Sequence, residues 1–266
     1  MFLSAQNIPT KHVDCRSVRY TGAELPRMDP KLLVFGFLEY VVFLFSTTCH
    51  EASHAIAAKW GGDTTAFEGG EVSLNPLPHV RREFFGMVLL PLIGILTGTG
   101  LIGYASAPYD PAWAIKNPKK SGLMSLAGPG ANFALALFAA IAMRIGLEAG
   151  FFLPGSISTD AIVATTTDGV LAGIATVLSV VFSLNLLLGC FNLLPVPPLD
   201  GFGALTVFTD SEGALKLMRM RVHLRGFGLL AAIVIASYAL GYVYGPLLEF
   251  GVRVIYAFYH FPHVQP

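Results

Sequence analysis

Charge is scarce in this chain. Only 13% of its 266 residues are Asp, Glu, Lys or Arg, and the 17 basic side chains balance the 17 acidic ones; an ordinary soluble domain carries about twice that share. Nothing in that balance points to a nucleic-acid partner. Cysteine is nearly absent too. Cys15, Cys49 and Cys190 are too few and too scattered for a disulfide framework or a thiolate metal cluster, so Cys49 and Cys190 read as small apolar side chains. Residues 1–30 hold Lys11, Arg16, Arg19 and Arg27 but no apolar h-region. No cleavable signal peptide is therefore expected, and the first apolar run has to serve as its own insertion signal. There is no internal repeat and no appended soluble domain of useful size.

What the chain has is apolar length. Hydrophobic residues make up 54% of it and the mean hydropathy is +0.63, which reads as an all-α polytopic membrane protein. Five to six transmembrane helices are expected. Residues 1–30 form a polar tail, 31–210 the core, and 211–266 an amphipathic segment with C-terminal transmembrane helices. Leu32 to Trp60 is long enough to span a bilayer and stops at Gly61-Gly62. Phe84 to Tyr104 is interrupted by Pro91 and by Gly94, Gly98, Gly100 and Gly103, so it either spans or re-enters. Leu123 to Leu147 and Val170 to Leu194 supply two further spans. Phe227 to Tyr244 and Leu247 to Phe261 supply one or two more around Gly245-Pro246, after a basic amphipathic segment, Gly203 to Arg225, suited to the membrane surface.

Basic residues orient the chain. If every run spans, the side with the tail, the 106–120 loop and the 201–225 segment holds 12 Lys/Arg against 4; if residues 84–104 re-enter, the division is 10 against 6. Both arrangements put Asp200 and the 106–120 loop on the cytosolic side.

Within the first apolar run lies Thr48-Cys49-His50-Glu51-Ala52-Ser53-His54, an H-E-x-x-H. Residues four apart share a helix face, so His50 and His54 can hold one metal with Glu51 beside it, the layout of a hydrolytic zinc site. Ionisable groups inside a membrane segment are costly, and three within five residues mark a functional site. Catalytic zinc takes three protein ligands and keeps one position for water. Candidates for the third are Asp200, Asp168, Glu39 and His79. Asp200 is the strongest, because it directly follows an apolar span on Pro195-Val196-Pro197-Pro198-Leu199-Asp200-Gly201. Three prolines there forbid a regular helix, and such backbone at membrane depth is stable only when it is buried or lines a cavity. Ala66 to Leu74 reads as two short strands about the Gly69-Gly70 turn. That predicts a short membrane-associated β-hairpin next to the metal site, with an edge on which an unwound substrate could pair.

Three separated blocks, in order, carry a resemblance. His50-Glu51-Ala52-Ser53-His54, Ala127-Gly128-Pro129-Gly130-Ala131-Asn132, and Asn192-Leu193-Leu194-Pro195 through Leu199-Asp200-Gly201 resemble the metal helix, the A-G-P-x-x-N opening of a core helix, and the N-x-x-P-x-x-x-L-D-G motif of the site-2 proteases. These are the intramembrane zinc metalloproteases of peptidase family M50, here of the compact type without PDZ or CBS domain. The resemblance covers roughly residues 32–210. A weaker likeness to one subgroup runs through Asn75-Pro76-Leu77-Pro78-His79 and Gly103-Tyr104-Ala105 and departs at Tyr104 and Ser106 to Tyr109.

The resemblance implies one Zn²⁺ per chain on His50, His54 and Asp200, with Glu51 as general base. It implies Asn192 and Asn132 at the substrate backbone or oxyanion, and His79 as a gate or auxiliary ligand. The implied partners are transmembrane protein substrates and membrane lipid, and the implied place is a bacterial or archaeal plasma membrane. Plainer roles compete residue by residue: Asp200 as a helix N-cap, Ala127 to Asn132 as small residues for close packing, Asn192 bonding a freed carbonyl, and His79 as a loop histidine. A non-proteolytic subunit of the same fold, binding zinc in a membrane complex, is the alternative function, and retention of Glu51 speaks against it. A channel or transporter would repeat polar residues along several spans, whereas here they concentrate in two blocks.

Overall fold

Inside lipid a backbone N–H or C=O finds no water, so apolar runs of this length close their hydrogen bonds within helices. The computed structural model describes residues 30–98, 100–224, 227–257 and 259, so the polar tail ahead of Pro30 lies outside the described residues. In chain order the elements are α1 (Pro30–Gly61), α2 (Thr65–Glu68), α3 (Pro76–Arg82), a π-helical turn (Phe85–Leu89) running into α4 (Leu90–Thr97), α5 (Pro111–Lys116), α6 (Pro118–Glu148), β1 (Leu153–Pro154), β2 (Val163–Ala164), α7 (Val170–Asn192), α8 (Asp200–Ala204) with a 3₁₀ turn (Leu205–Phe208), α9 (Ser211–His223) and α10 (Phe227–Tyr256). The central helix is α6, packed against both α1 and α7. Buried alanines on α1 (Ala52, Ala55, Ala58) and on α6 (Ala136, Ala139) are the small residues that let membrane helices approach closely.

Among the described residues, three helices are long and apolar enough to cross a membrane: Leu33–Gly61, Pro118–Glu148 and Val170–Asn192. The expected five to six spans are not confirmed among the described residues. Phe85–Thr97 is a short apolar helix, about 20 Å long against the ~30 Å of a bilayer core. It ends at Gly98 with a left-handed φ of 70°, and the chain then runs back along it. Tyr104 N–H donates to the Gly86 carbonyl at 3.1 Å, and a Cβ on Gly94 would lie 2.2 Å from the Gly100 carbonyl oxygen. The segment folds back on itself. The two C-terminal runs, in turn, are one continuous helix with Pro246 inside it.

The β-hairpin is also placed differently. Residues 66–74 hold no strand: α2 closes with Glu71 N–H on the Ala66 carbonyl and Gly70 N–H on the Phe67 carbonyl, with Gly70 at φ +76°. This is a Schellman helix cap. Gly-Gly suits a hairpin turn and a helix terminus equally, and here the terminus wins. The two-stranded antiparallel sheet is β1 with β2, Leu153 opposite Ala164 and Pro154 opposite Val163. It follows the far end of α6, about 30 Å of helix away from Gly128, and so does not adjoin the histidines. The A-G-P-x-x-N block, finally, lies in the interior of α6 rather than at its start, with Pro129 buried in the helix.

Candidate active site

Asn75 caps α3 by accepting from Leu77 N–H, with Pro76 in the first turn, and Asp110 caps α5 in the same way through Ala112 N–H. Asp63, just past α1, accepts from Thr65 N–H and from Asp110 N–H. Trp113 Nε1 and Lys120 Nζ both donate to the Gly61 carbonyl, which satisfies an end group of α1 and fixes that helix against α5 and α6. The register of α1 against α6 is thereby set.

That register brings His50 and His54 onto the α6 face of α1, both buried. His50 Nε2 lies 3.0 Å from Asp200 Oδ2, His54 Nε2 lies 3.2 Å from the same oxygen, and the two Nε2 atoms are 3.0 Å apart. Gly128 makes the space. A Cβ there would come within 2.4 Å of both Nε2 atoms. Asp200 reaches the site from the first turn of α8, where Gly201 is pressed against the Leu193 carbonyl so closely that a Cβ would stand 2.1 Å from its oxygen. Leu199, not Asp200, is the N-cap of α8 and makes no side-chain cap bond. The Asp200 carboxylate is instead turned to the two imidazoles.

Hydrogen bonds behind the histidines fix their tautomer. Asn185 Nδ2 donates to the Val181 carbonyl and to Ser46 Oγ, leaving Asn185 Oδ1 to accept from Asn132 Nδ2 at 2.9 Å. Asn132 Oδ1 therefore accepts, and His50 Nδ1–H donates to it at 2.6 Å. His54 Nδ1–H donates to the Met124 carbonyl at 2.7 Å. In the neutral imidazole, the form that binds a metal, each Nε2 is then a bare lone pair. Two lone pairs and a carboxylate converge on one point with no donor among them, an arrangement that calls for a cation. Nitrogen, nitrogen and oxygen in this number suit zinc with an open position. The His50, His54 and Asp200 ligand atoms lie within 4.8 Å of one another, and no other such group occurs among the described residues.

The remaining candidates are elsewhere. Asp168 is exposed and Glu39 half-buried in the first turns of α1. Asn192 donates to the Leu188 carbonyl one turn back. Asn132 is fully buried behind His50, with Oδ1 on His50 Nδ1 and Nδ2 on Asn185 Oδ1. His79 is buried on α3 and lies within electrostatic reach of Glu51. Sequence reasoning missed Asn185, Ser46 and Glu71. The signal for the first two was present: Asn185 is the one amide side chain in the interior of α7, and Ser46 precedes His50 by one helical turn.

The family model for peptidase family M50 matches residues 39–233. The chain is 29% identical over 213 residues to the "putative zinc metalloprotease YwhC" of Bacillus subtilis, covering 79% of this chain and 85% of that protein. It is 29% identical over 171 residues to the "putative zinc metalloprotease Rip2" of Mycolicibacterium smegmatis and 32% identical over 164 residues to Rip2 of Mycobacterium tuberculosis, and spans 56% and 54% of those proteins. No solved structure matches it. With a donor set that calls for a metal, helices long enough to cross a membrane, and a match over most of its length, this chain is an integral membrane protein that belongs to peptidase family M50, the site-2 protease family.

Proposed function

We propose that this protein is a zinc endopeptidase that hydrolyses peptide bonds within or next to transmembrane segments of other membrane proteins. The observation that carries the reading is the burial of His50, Glu51 and His54 within a helix long and apolar enough to cross a bilayer. About 10 Å of helix separate His54 from Gly61, and about 16 Å separate His50 from it, so the chemistry sits below the membrane surface.

One zinc per chain would be held by His50, His54 and Asp200, and when bound it supplies a Lewis acid that acidifies water and polarises a peptide carbonyl. Asn132 and the Met124 carbonyl hold the two imidazoles in the tautomer that leaves Nε2 free. Glu51, with Oε2 unpartnered, takes a proton from the attacking water and returns it to the leaving amine. An intact substrate helix hides its carbonyls in its own hydrogen bonds, so the substrate must unwind locally. The Asp200 end faces the cytosol of a bacterial or archaeal plasma membrane. The basic loop with Lys116, Lys119 and Lys120 lies at that end.

The test is to purify wild type, Glu51→Gln and Asp200→Ala in detergent, measure bound zinc, and incubate each with a single-span membrane protein. Wild type should cleave, Glu51→Gln should keep its zinc and lose roughly 10²–10⁴ in rate, and Asp200→Ala should lose zinc. Zinc in wild type without cleavage would make the protein a zinc-binding subunit instead.

A further inference from the structure

Buried polar atoms are nearly always hydrogen-bonded, so those that are not call for a reason. Among the described residues, the buried side-chain atoms without a partner are Thr47 Oγ1, Glu51 Oε2, Glu71 Oε2 and His79 Nδ1. Their residues are 7%, 3%, 4% and 2% exposed. Glu51 on α1 links them. Thr47 precedes Glu51 by one helical turn, on the same face of α1, and α1 packs against both α2 and α3, the elements that deliver Glu71 and His79. Both Glu71 and His79 lie within electrostatic reach of Glu51.

The chemistry of these atoms is one-sided. His79 approaches the Ser73 carbonyl with Nε2 at 3.1 Å; a carbonyl only accepts, so Nε2 carries the hydrogen and Nδ1 is a bare lone pair. The Glu71 carboxylate has Arg82 Nε at 3.8 Å from Oε1, which leaves Oε2 unserved. Apart from the Thr47 hydroxyl, the unpartnered atoms are acceptors, two carboxylate oxygens and an imidazole lone pair, and such a set is short of a proton.

We propose that Glu71 and His79 are positioning residues for Glu51, a buried pair that holds a proton beside the general base at neutral pH. The inference rests on the peptidase reading for its role, though not for its existence. This proton is not one that hydrolysis moves. It neutralises the second carboxyl, so that a proton arriving on Glu51 meets no competing carboxylate and passes to the leaving amine. The electrostatics support it: burial pushes the Glu71 carboxyl up to about 7, the Arg82 guanidinium opposes this, and Glu51 and Glu83 add to it. Glu51 faces the pair from α1, Arg82 from α3, and Glu83 from the residue after α3.

The test is an infrared titration of the full-length, zinc-loaded protein in lipid nanodiscs, from about pH 5 to 9. Wild type should show a protonated-carboxyl band that disappears near pH 7. Glu71→Gln, an isosteric neutral replacement, should lack that band, and His79→Gln should move its midpoint by about half a pH unit or more. A band that survives in Glu71→Gln, or fails to move in His79→Gln, overturns the proposal. In cleavage assays, wild-type kcat should fall as pH rises through neutrality while Glu71→Gln loses at least about threefold of that fall, with KM within about twofold; superimposable pH profiles would also overturn it. If wild type cleaves nothing, the peptidase reading fails while the infrared result still decides whether the pair holds its proton.

Discussion

His50 and His54 face α6, where each Nδ1–H has a fixed acceptor in Asn132 or in the Met124 carbonyl, and where Asn185 and Ser46 complete the chain of bonds. Glu51, on the same two turns of α1, lies within electrostatic reach of Glu71 and His79 in the 62–82 segment, and Glu51 Oε2, Glu71 Oε2 and His79 Nδ1 are all buried without a partner. One side of the helix is settled before a metal arrives. The other keeps its polar groups uncommitted, and it belongs to short elements that pack over Glu51. Preorganisation serves ligands that must hold one geometry, while the general base of the proposed peptidase would have to exchange protons and admit a substrate.

The ligand side should be the more brittle, and Gly128→Ala breaks it most. The added Cβ would come within 2.4 Å of both imidazoles, and a clash in a packed interior costs about 1–3 kcal/mol. Because both ligands must move, zinc affinity should fall by more than the ~10–100-fold typical of losing one supporting residue, measured by competition with a chromogenic chelator. Asn132→Ala should give that ~10–100-fold loss itself, since His50 keeps its place but loses its tautomer lock. An Asn132→Ala protein with wild-type zinc affinity but slowed cleavage would return Asn132 to the oxyanion role.

The difference between the two sides also explains what could be read from the sequence. The ligand side was legible because metal chemistry demands particular residues at particular spacings: His50, Glu51 and His54 share helix turns, and Asp200 follows a span on a proline-rich stretch. Asn132 was found in its motif, but its partner depends on the packing of α6 against α1 and α7, which no local pattern encodes. The 62–104 region was the hard part. Gly69-Gly70 fits a turn or a cap, Phe84 to Tyr104 is apolar enough for a span, and only close contacts such as Gly86 with Tyr104 decide that it folds back. Glu71 carries no motif at all.

Stability against pH probes the less settled side. Glu71 has its folded pKa raised from 4.5 to about 7, so the folded protein binds more protons than the unfolded chain between those values. Stability should therefore fall as pH rises through that window, by on the order of 2 kcal/mol. Wild type should show a lower Tm at pH 7.5 than at about pH 5, and Glu71→Gln should lose that part of the difference. Equal slopes in the two proteins would mean that Glu71 is ionised throughout.

The smallest expected effect separates two ways of building the same glycine pair. In a two-residue hairpin of the commonest type both central residues need positive φ, so alanine at either would be strained. In the helix cap observed here Gly69 is right-handed, with φ −73°, and a Cβ on it would meet the Ala66 and Thr65 carbonyl oxygens at ordinary distances of 3.5 and 3.6 Å. Gly70 has φ +76° with nothing within 4 Å of its would-be Cβ, so its cost is purely conformational, roughly 1 kcal/mol. Gly70→Ala should thus lower Tm while Gly69→Ala leaves it level or slightly raised, and Gly70→Asn should recover part of the loss, because Asn tolerates the left-handed region. Equal losses at both positions would restore the hairpin. A loss at Gly70 alone, accompanied by faster proteolysis of the 62–82 segment but unchanged zinc affinity, would show that the cover over Glu51 loosens independently of the metal ligands, as two differently built sides require.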